Sequence, residues 1–503
     1  MGAPSELPPP SEGDNGKACP DEQSYTHTSA TSINQHLLLD RGKLTIDKLP
    51  DDVLLEIFDH HRGDNEYFTP KMWKPLVHVC QRWRNIVFAS PQTLHLRLVC
   101  DVRTPTRELL NIWPPLPIVI RYSPNEDEGE GNVIAALEHH HRICWVVFKE
   151  LKSRILEKFT TVMQEPFLVL TGLRLQSLDE LESVIPDTFM GGYTPQLQIF
   201  VLEGIAFPAL PRFVLSATHL TKLQLQKVPD AGYISPEAMG TCLSVLPKLK
   251  ELAIGFQSPQ SRPPQMTAPP LTRVTLPALT YFEFRGVSEY LEDLIARIIT
   301  PNLDSLDIYF FLDLIFVIPQ LNKFISITNT LKLCKRVYIE LYPWSARITI
   351  ESLTPLHLRF KCDRLDWRIS SMARLCGELC PHLSEVELLA VNGDPDLRVE
   401  SQEEEDIDST QWLELFRPFI AVQGLYVSKK LSPLIAQALQ ELTGERVAEV
   451  LPSLQNLSLG GFKPNGAIQG VLGPFFTARQ LSGHHITVKR WEQDPHWDPE
   501  DYD

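Results

Sequence analysis

Several side chains in the sequence could do chemistry, and the most conspicuous are three consecutive histidines at positions 139–141, flanked by Glu138 and Cys144. Imidazole, thiolate and carboxylate groups are all zinc ligands, so the run is a candidate metal site. Consecutive histidines on a helix point in different directions, however, and no second group of ligands accompanies them. We therefore interpret the run as an exposed polar helix face and predict no bound metal.

Other reactive residues lack the spacing that catalysis needs. Cys376 and Cys380 lie one helical turn apart, with no Cys or His pair at zinc-finger spacing, and we interpret both as small apolar core residues. Gly460 and Gly461 precede Lys463, but we see no strand–loop–helix spacing of the kind that cradles a phosphate. The sequence contains no GxSxG, HExxH, Walker A or GxGxxG motif. We predict that the chain is not an enzyme and takes no cofactor.

The charge balance excludes some classes of partner. The chain has 503 residues, with 47 Lys and Arg against 63 Asp and Glu, which gives a net charge of −16. Nucleic acids and anionic lipid surfaces attract an excess of Lys and Arg, so neither is an expected partner. The sequence has no signal peptide and no run of about 18 apolar residues that could span a membrane. Its nine cysteines form no paired framework, which predicts a reduced, intracellular protein, either cytoplasmic or nuclear.

The N-terminal region changes character at about residue 44. Residues 1–43 are rich in Pro, Ser, Gly and Asp, and we expect them to be disordered. Leu49 and Pro50 then precede Asp51 and Asp52, which predicts a helix with acids in its first turn, where the helix dipole favours them. Four apolar residues follow at the spacing of a single stripe: Val53, Leu54, Ile57 and Phe58.

A second helix is predicted within residues 70–90. Its apolar residues recur at steps of 3, 1, 3 and 4, which places them on one face. They are Leu76, Val79, Cys80, Trp83 and Val87. Pro75 fits the first turn of this helix.

The rest of the chain repeats itself. Seven segments carry an apolar residue followed by others at +3 and +5: Leu197/Phe200/Leu202, Leu220/Leu223/Leu225, Leu249/Leu252/Ile254, Leu279/Phe282/Phe284, Leu303/Leu306/Ile308, Leu383/Val386/Leu388 and Leu454/Leu457/Leu459. Six of the seven have a proline two residues before the first position. The first five segments begin 23, 29, 30 and 24 residues apart.

This period is typical of leucine-rich repeats, in which short parallel strands and covering helices stack into a solenoid. Helical stretches are predicted at residues 290–299 and 370–380. Weaker strands near residues 337–339, 356–358 and 425–427 fill the long gaps between the later segments. The predicted fold class is therefore α/β: a small all-α domain followed by an irregular leucine-rich-repeat solenoid.

Residues that alternate with the apolar ones face away from the core of such strands. They are Lys222, Gln224, Gln226, Glu251, Tyr281, Glu283, Arg285, Ser305, Asp307, Tyr309, Glu385 and Glu387. The middle strands mix aromatic side chains with both signs of charge, which favours specific recognition of a protein. The predicted target-binding residues are Tyr281, Glu283, Arg285, Asp307 and Tyr309. Ordinary solvated strand surface is the alternative interpretation.

The segment LPDDVLLEIFDHH…KPLVHVCQRWRNIVFASP resembles the F-box. The similarity rests on Leu49-Pro50, on Leu54, Ile57 and Phe58, and on Val79-Cys80 followed by Trp83-Arg84. The continuation SPQTLHLRLVCDVRTPTRELLNIWPPLPIVI resembles the extension found in F-box proteins that are abundant in mushroom-forming fungi. The resemblance covers residues 44–122.

This resemblance implies a substrate receptor of an SCF-type (cullin–RING) ubiquitin ligase, with no chemistry of its own. The F-box would dock on a Skp-type adaptor, and through it on a cullin, while the repeats hold an unknown protein target. The implied adaptor-binding residues are Leu49, Pro50, Val53, Leu54, Ile57, Phe58, Val79 and Trp83. A unit of about 45 residues cannot hide all its apolar side chains, which independently favours a partner for this stripe, although packing within the same chain is the alternative.

Two other functions remain open. The chain could be a leucine-rich-repeat interaction scaffold outside ubiquitylation, in which the N-terminal helices merely cap the array; the long stretch from Asp59 to Pro70 favours this alternative. A hydrolase around Asp363, Asp366, Trp367 and His382 is supported only by scattered polar residues.

The predicted domains are a disordered segment at 1–43, an F-box at 44–90, a connecting region with the first degenerate repeats at 91–190, a solenoid at 191–480 and an acidic tail at 481–503.

Overall fold

The structure is a computed structural model, and its residues fall into two units, 1–64 and 65–503. It describes residues 46–60, 74–91, 96–123, 129–179, 183–259, 273–311, 318–327, 334–351, 355–362, 364–397, 408–461, 463 and 466–491. The segment predicted to be disordered, 1–43, and the acidic residues from 492 onward lie outside these ranges.

The first unit contains a short 3-10 helix, Ile46–Lys48, and the α-helix α1, Asp51–His60. Helix α1 begins where the sequence predicts, with Asp51 and Asp52 in its first turn. Only part of its predicted apolar stripe is buried. Leu54 and Phe58 are buried, whereas Val53 and Ile57 are 36% and 42% exposed.

The second predicted helix is wrong as a single element. It is two helices, α2 (Lys74–Val79) and α3 (Gln81–Ala89), because Cys80 has an extended backbone with φ −156° and its Sγ accepts a hydrogen bond from the Trp83 N–H at 3.4 Å. This break rotates the apolar face. Val77, Ile86 and Val87 are buried, and Val79 is 58% exposed.

The described part of the second unit alternates strands with helices. Its further helices are α4 (Thr106–Ile112), α5 (Glu130–Leu137), α6 (Ser153–Val162), α7 (Leu210–Val214), α8 (Pro236–Ser244), α9 (Ser288–Ile295), α10 (Pro319–Ile327), α11 (Leu365–Glu378), α12 (Cys380–Leu383), α13 (Ser409–Phe416), α14 (Ser432–Gln440) and α15 (Ala467–Leu481).

The strands are short, with lengths from two to nine residues. They are β1 (Leu98–Cys100), β2 (Ile118–Tyr122), β3 (Ile143–Leu151), β4 (Gly172–Ser177), β5 (Ser183–Val184), β6 (Ile199–Glu203), β7 (Ile205–Ala206), β8 (Lys222–Val228), β9 (Glu251–Phe256), β10 (Val274–Thr275), β11 (Tyr281–Gly286), β12 (Ile298–Ile299), β13 (Ser305–Phe310), β14 (Arg336–Leu341), β15 (Ser345–Glu351), β16 (Leu356–Lys361), β17 (Leu388–Gly393), β18 (Gly424–Val427), β19 (Asn456–Gly460) and β20 (Thr487–Trp491).

Sixteen of these strands form one long sheet that is mostly parallel, in the order β1-β2-β3-β4-β6-β8-β9-β11-β13-β16-β15-β14-β17-β18-β19-β20. The predicted α/β class is confirmed at this level, and the long sheet is compatible with a solenoid. The sheet begins at Leu98, well before the first predicted repeat segment. Two small parallel pairs, β5–β7 and β10–β12, lie apart from it.

The apolar positions of the repeat pattern form one continuous core. Leu223, Leu252, Phe282 and Leu306 are direct neighbours across β8, β9, β11 and β13, and each is at most 2% exposed. Because no single strand could bury this face alone, stacking supplies the hydrophobic free energy. One predicted core position is wrong. Leu388 is half-buried, whereas Leu389 and Val391 are buried, because the buried residues of β17 are shifted by one position from the predicted ones.

Helices cover the core face and are tied to each other by polar contacts. The buried Glu292 of α9 accepts hydrogen bonds from the Gln320 and Leu321 N–H groups at the start of α10, both at 2.8 Å. Burial raises the pKa of Glu292. Asn322 of α10 in turn donates to the Glu378 carbonyl of α11 at 2.8 Å. Among the helices described, none is long and apolar enough to cross a membrane.

The sheet reverses direction once. The weaker strands predicted near 337, 356 and 425 are confirmed as β14, β16 and β18, but β14, β15 and β16 form an antiparallel meander. After β13 the chain passes to β14, turns back through β15, and places β16 beside β13. Helix α11 then returns the chain to β17, beside β14. The strand β15, Ser345–Glu351, was not among the predicted strands.

Candidate interaction surface

The face of the sheet opposite the core carries a row of acidic and hydrogen-bonding residues. Direct cross-strand neighbours place Glu283 of β11 beside Asp307 of β13, then His357 of β16 and Thr349 of β15. We call these four residues the acidic row. Neighbouring strands lie about 4.8 Å apart, so side chains in such a row can touch in sequence.

Hydrogen bonds join the acidic row into one network. The Tyr281 hydroxyl lies 3.0 Å from Asp307 Oδ2 and 3.2 Å from Glu283 Oε2, which puts one phenolic proton between two carboxylates. Gln226 of β8 donates to Glu283 Oε1 at 3.0 Å, across the intervening strand β9. That reach requires Gly255 in β9, because a Cβ there would lie 2.5 Å from Gln226 Oε1.

Burial and charge shift two pKa values in this network. Burial, followed by the nearby Glu283 and Asp307 charges, raises the pKa of Tyr281 far above its usual value, so the phenol keeps its proton. Burial also lowers the pKa of His357, although the Asp307 carboxylate opposes that shift. His357 Nε2 is 3.9 Å from Asp307 Oδ1, and its Nδ1 is 3.1 Å from the Thr349 hydroxyl. A neutral imidazole can accept from Thr349 and direct an N–H toward Asp307.

A second row, one step further along the strands, is basic. Cross-strand neighbours run Arg285, Tyr309, Arg359, Arg347 and Glu340. We call these five residues the basic row. The Arg285 guanidinium lies 4.7 Å from the centre of the Tyr309 ring, a cation–π distance. The Arg347 guanidinium is 3.7 Å from the Glu340 carboxylate, which pairs one of the three arginines.

All five residues predicted to bind a target lie together on this face. Tyr281, Glu283 and Asp307 belong to the hydrogen-bonded network, and Arg285 and Tyr309 belong to the basic row. Whether the face binds a target stays a prediction. Its placement follows from the alternation of side chains along each strand, which the sequence displays directly.

The residues that the meander strands β15 and β16 contribute to this surface were not among the predicted binding residues. His357 and Arg359 alternate with the buried Leu356, Leu358 and Phe360, so their alternation could have identified them. The buried alternation of Ala346, Ile348 and Ile350 could likewise have revealed β15, which supplies Thr349 and Arg347.

Other residues predicted to face away from the core lie outside this hydrogen-bonded network. Lys222 and Glu251 form an ion pair at 2.5 Å on β8 and β9. Glu385 and Glu387 are exposed and precede β17, with Glu387 paired to Lys335 at 3.0 Å.

The residues predicted to bind an adaptor differ in exposure. In the first unit, Pro50, Val53 and Ile57 are exposed, Leu49 is half-buried, and Leu54 and Phe58 are buried. In the second unit, Val79 is exposed and Trp83 is half-buried. The exposed apolar members are therefore the ones open to a partner.

The polar groups first considered for chemistry lie in different places in the described part of the chain. The histidine run is not a helix face, because residues 140–142 form a 3-10 turn between α5 and β3. Cys376 is buried as predicted, but Cys380 is exposed and is not a core residue. Of the residues considered for a hydrolase, Asp363 lies outside the described residues, Asp366 pairs with Arg364 at 2.8 Å, and Trp367 is 57% exposed. No group of three His, Cys, Asp or Glu residues in the described ranges could hold a metal.

No protein-family model matches the chain, and no curated protein matches it.

Proposed function

We propose that the protein is the substrate-recognition subunit of an SCF-type ubiquitin ligase. In this proposal the segment 44–90 docks on a Skp-type adaptor, and the polar face of the sheet holds the protein to be ubiquitylated. One observation carries the adaptor half: Val53 and Ile57, one helical turn apart on α1, expose apolar side chains within the sequence that resembles an F-box. Apolar side chains left in solvent on one helix face favour a protein partner.

The target half is supported by the composition of the polar face. The acidic row and the basic row lie side by side, so the face presents both signs of charge in fixed register, together with the aromatic Tyr281 and Tyr309. Such a surface selects a partner by complementary charge rather than by burial of apolar area alone. A receptor of this kind acts by raising the local concentration of its target near the ubiquitin-charged enzyme.

The test is binding of the purified full-length chain to a purified Skp-type adaptor. The decisive variant is Val53→Asp/Ile57→Asp, because both side chains are exposed and their replacement should leave the fold intact. Glu56→Gln, on an exposed position of the same helix, is the matched control. Val79→Asp tests the exposed apolar residue of α2 in the second unit separately.

We expect the wild type and Glu56→Gln to bind the adaptor, and Val53→Asp/Ile57→Asp to lose binding. If the folded wild type does not bind, the alternative takes over, and the chain is an interaction scaffold outside ubiquitylation. Equal binding by the wild type and the double variant would exclude α1 as the docking helix.

A further inference from the structure

An open cleft of about 1070 Å³ lies at the carboxyl ends of parallel strands β14, β17, β18 and β19. Its walls include Tyr342 after β14, Asp394 after β17, Lys429 after β18 and Lys463 after β19. In open parallel sheets, ligands bind in crevices at the carboxyl ends of the strands, where the loops converge. None of the residues that line the cleft belongs to α1, on which the proposed adaptor docking rests.

At this cleft Lys463 lies between a strand and a helix, since β19 ends at Gly460 and α15 begins at Ala467. Lys463 precedes the helix and does not stand in its first turn, so the spacing differs from that of a P-loop, as the sequence predicts. Gly461 has φ +73°, which favours glycine. A Cβ on Gly460 would lie 2.4 Å from the backbone nitrogen of Lys429. The two glycines therefore let the loop after β19 pass close to the loop after β18, which brings both lysines to one cleft.

Four described cations line the cleft, Lys429, Lys430, Lys463 and Arg490, and its two acids, Glu340 and Asp394, are engaged. Lys429 and Lys463 are exposed, and neither ammonium group has a hydrogen bond or ion pair to a described residue. The third lysine, Lys430, is held by the Leu397 carbonyl at 2.9 Å. Of the two acids in the wall, Asp394 accepts the N–H of residue 396 at 2.6 Å, and Glu340 pairs with an arginine of the basic row.

Backbone N–H groups at the start of α15 add hydrogen-bond donors to the lysines of the cleft. Helix α15 has fifteen residues, and its N-cap, Gly466, supplies no side-chain cap. The N–H groups of Ala467 and Ile468, which both line the cleft, donate to no described residue. Unpaired N–H groups at a helix start, together with the helix dipole, favour an anion. The lysines and the backbone thus favour the same charge in a chain whose net charge is −16.

We propose that this cleft binds a small ligand through a diphosphate group, with Lys429 and Lys463 pairing to the phosphate oxygens and the α15 N-terminus donating to them. Lys429 and Lys463 follow two neighbouring parallel strands, so each ammonium group can contact a different phosphate of a diphosphate. Sulfate has a single tetrahedral group and would satisfy only part of this set.

The test is calorimetric titration of the full-length protein with inorganic pyrophosphate at constant ionic strength. The variant is Lys429→Gln/Lys463→Gln, and the matched control is Lys152→Gln/Lys250→Gln, which removes two exposed lysines outside the cleft. We expect the cleft variant to bind roughly tenfold or more weakly, since it loses two charge-assisted contacts, while the control binds like the wild type.

Three results would overturn the proposal: no pyrophosphate binding by the wild type at millimolar concentration, equal loss in both double variants, or sulfate binding as tight as pyrophosphate. The lysines are exposed, so the thermal midpoint of the cleft variant should match that of the wild type and show that it is folded. Pyrophosphate binding should be the same in Val53→Asp/Ile57→Asp, so failure here and failure of adaptor docking are distinguishable.

Discussion

Arg479 of α15 is fully buried, and its guanidinium donates to three carbonyls of the loop before β19: Val450 and Leu451 at 2.8 Å and Pro452 at 3.1 Å. Burial lowers its pKa. Replacing it with Met keeps an unbranched, mostly apolar side chain but removes the guanidinium, which leaves three carbonyls without their donor. We expect Arg479→Met to lower the free energy of unfolding by about 3 kcal/mol, measured by urea denaturation.

Two further variants make the Arg479 prediction specific. Arg479→Lys should also destabilise the protein, because an ammonium lacks the planar fork of donors. Arg446→Met, at a position whose side chain is 56% exposed and 3.7 Å from Glu449, should change the free energy of unfolding by less than about 0.5 kcal/mol. Equal stability of Arg479→Met and wild type would mean that the three carbonyls find other donors.

His357 gives a prediction on pH. Burial lowers its pKa below the ordinary 6.5, so the imidazole titration followed by NMR should have its midpoint below that value. Because the unfolded state then binds more protons, this group stabilises the fold above pH 6.5, and its contribution is lost as the pH falls through the folded pKa. Asp307→Asn removes the carboxylate that raises the pKa of His357, so the midpoint should fall further.

The control for this titration is Asp304→Asn, an exposed position in the turn before β13. It should leave the His357 midpoint where it is in the wild type. A midpoint that rises in Asp307→Asn would show that the 3.9 Å separation between His357 Nε2 and Asp307 Oδ1 does not describe the solution state.

At the level of elements, two glycines near the C-terminal strands should respond in opposite directions. Gly460 ends β19 where a Cβ would meet the backbone of Lys429, so Gly460→Ala should destabilise the protein by about 2 kcal/mol. Gly470 lies within α15 with no atom within 4 Å of an added Cβ, so Gly470→Ala should stabilise it by about 1 kcal/mol. Thermal unfolding of the two variants measures both signs. A Gly460→Ala variant as stable as the wild type would contradict the close approach, and a destabilised Gly470→Ala variant would contradict the open space at Gly470.

The strands and helices show which parts of the fold this sequence predicts and why it does not predict the others. Apolar steps of +3 and +5 predict buried strand positions correctly from Leu197 to Ile308, because each strand buries the same face. The break at Cys80 escapes a periodicity argument, since the residues on both sides keep helical spacing. It depends on a local competition in which a thiol accepts a backbone N–H.

The sequence likewise predicts some neighbours on the candidate surface and not others. Tyr281 and Asp307 could be predicted as neighbours, because consecutive parallel strands keep their register. His357 could not be placed beside Asp307, since fifty residues separate them and alternation does not reveal strand order. Alternating apolar residues look the same in parallel and antiparallel strands, so the reversal at β14–β16 left no distinguishing pattern.

In the whole molecule, the meander β14–β16 joins the two parts of the long sheet. On one side are the nine strands of the sheet from β1 to β13 (without β5, β7, β10 and β12), and on the other side are β17 to β20. The two sets are connected within the sheet through β14, β15 and β16. In a simple repeat array each unit stabilises only its neighbours, and unfolding can spread from an end. Here a defect in the middle strand should reach both parts at once.

Ile348 of β15 tests this idea, since it is fully buried between Ile339 of β14 and Leu358 of β16. Ile348→Ala should cost about 3 kcal/mol. Amide hydrogen exchange should then become faster in β13 and in β17, on both sides of the meander. Leu457→Ala in β19, an equally buried position near one end, should speed exchange in β18–β20 and leave β13 unchanged. Faster exchange confined to β14–β16 in Ile348→Ala would show that the meander does not couple the two parts of the sheet.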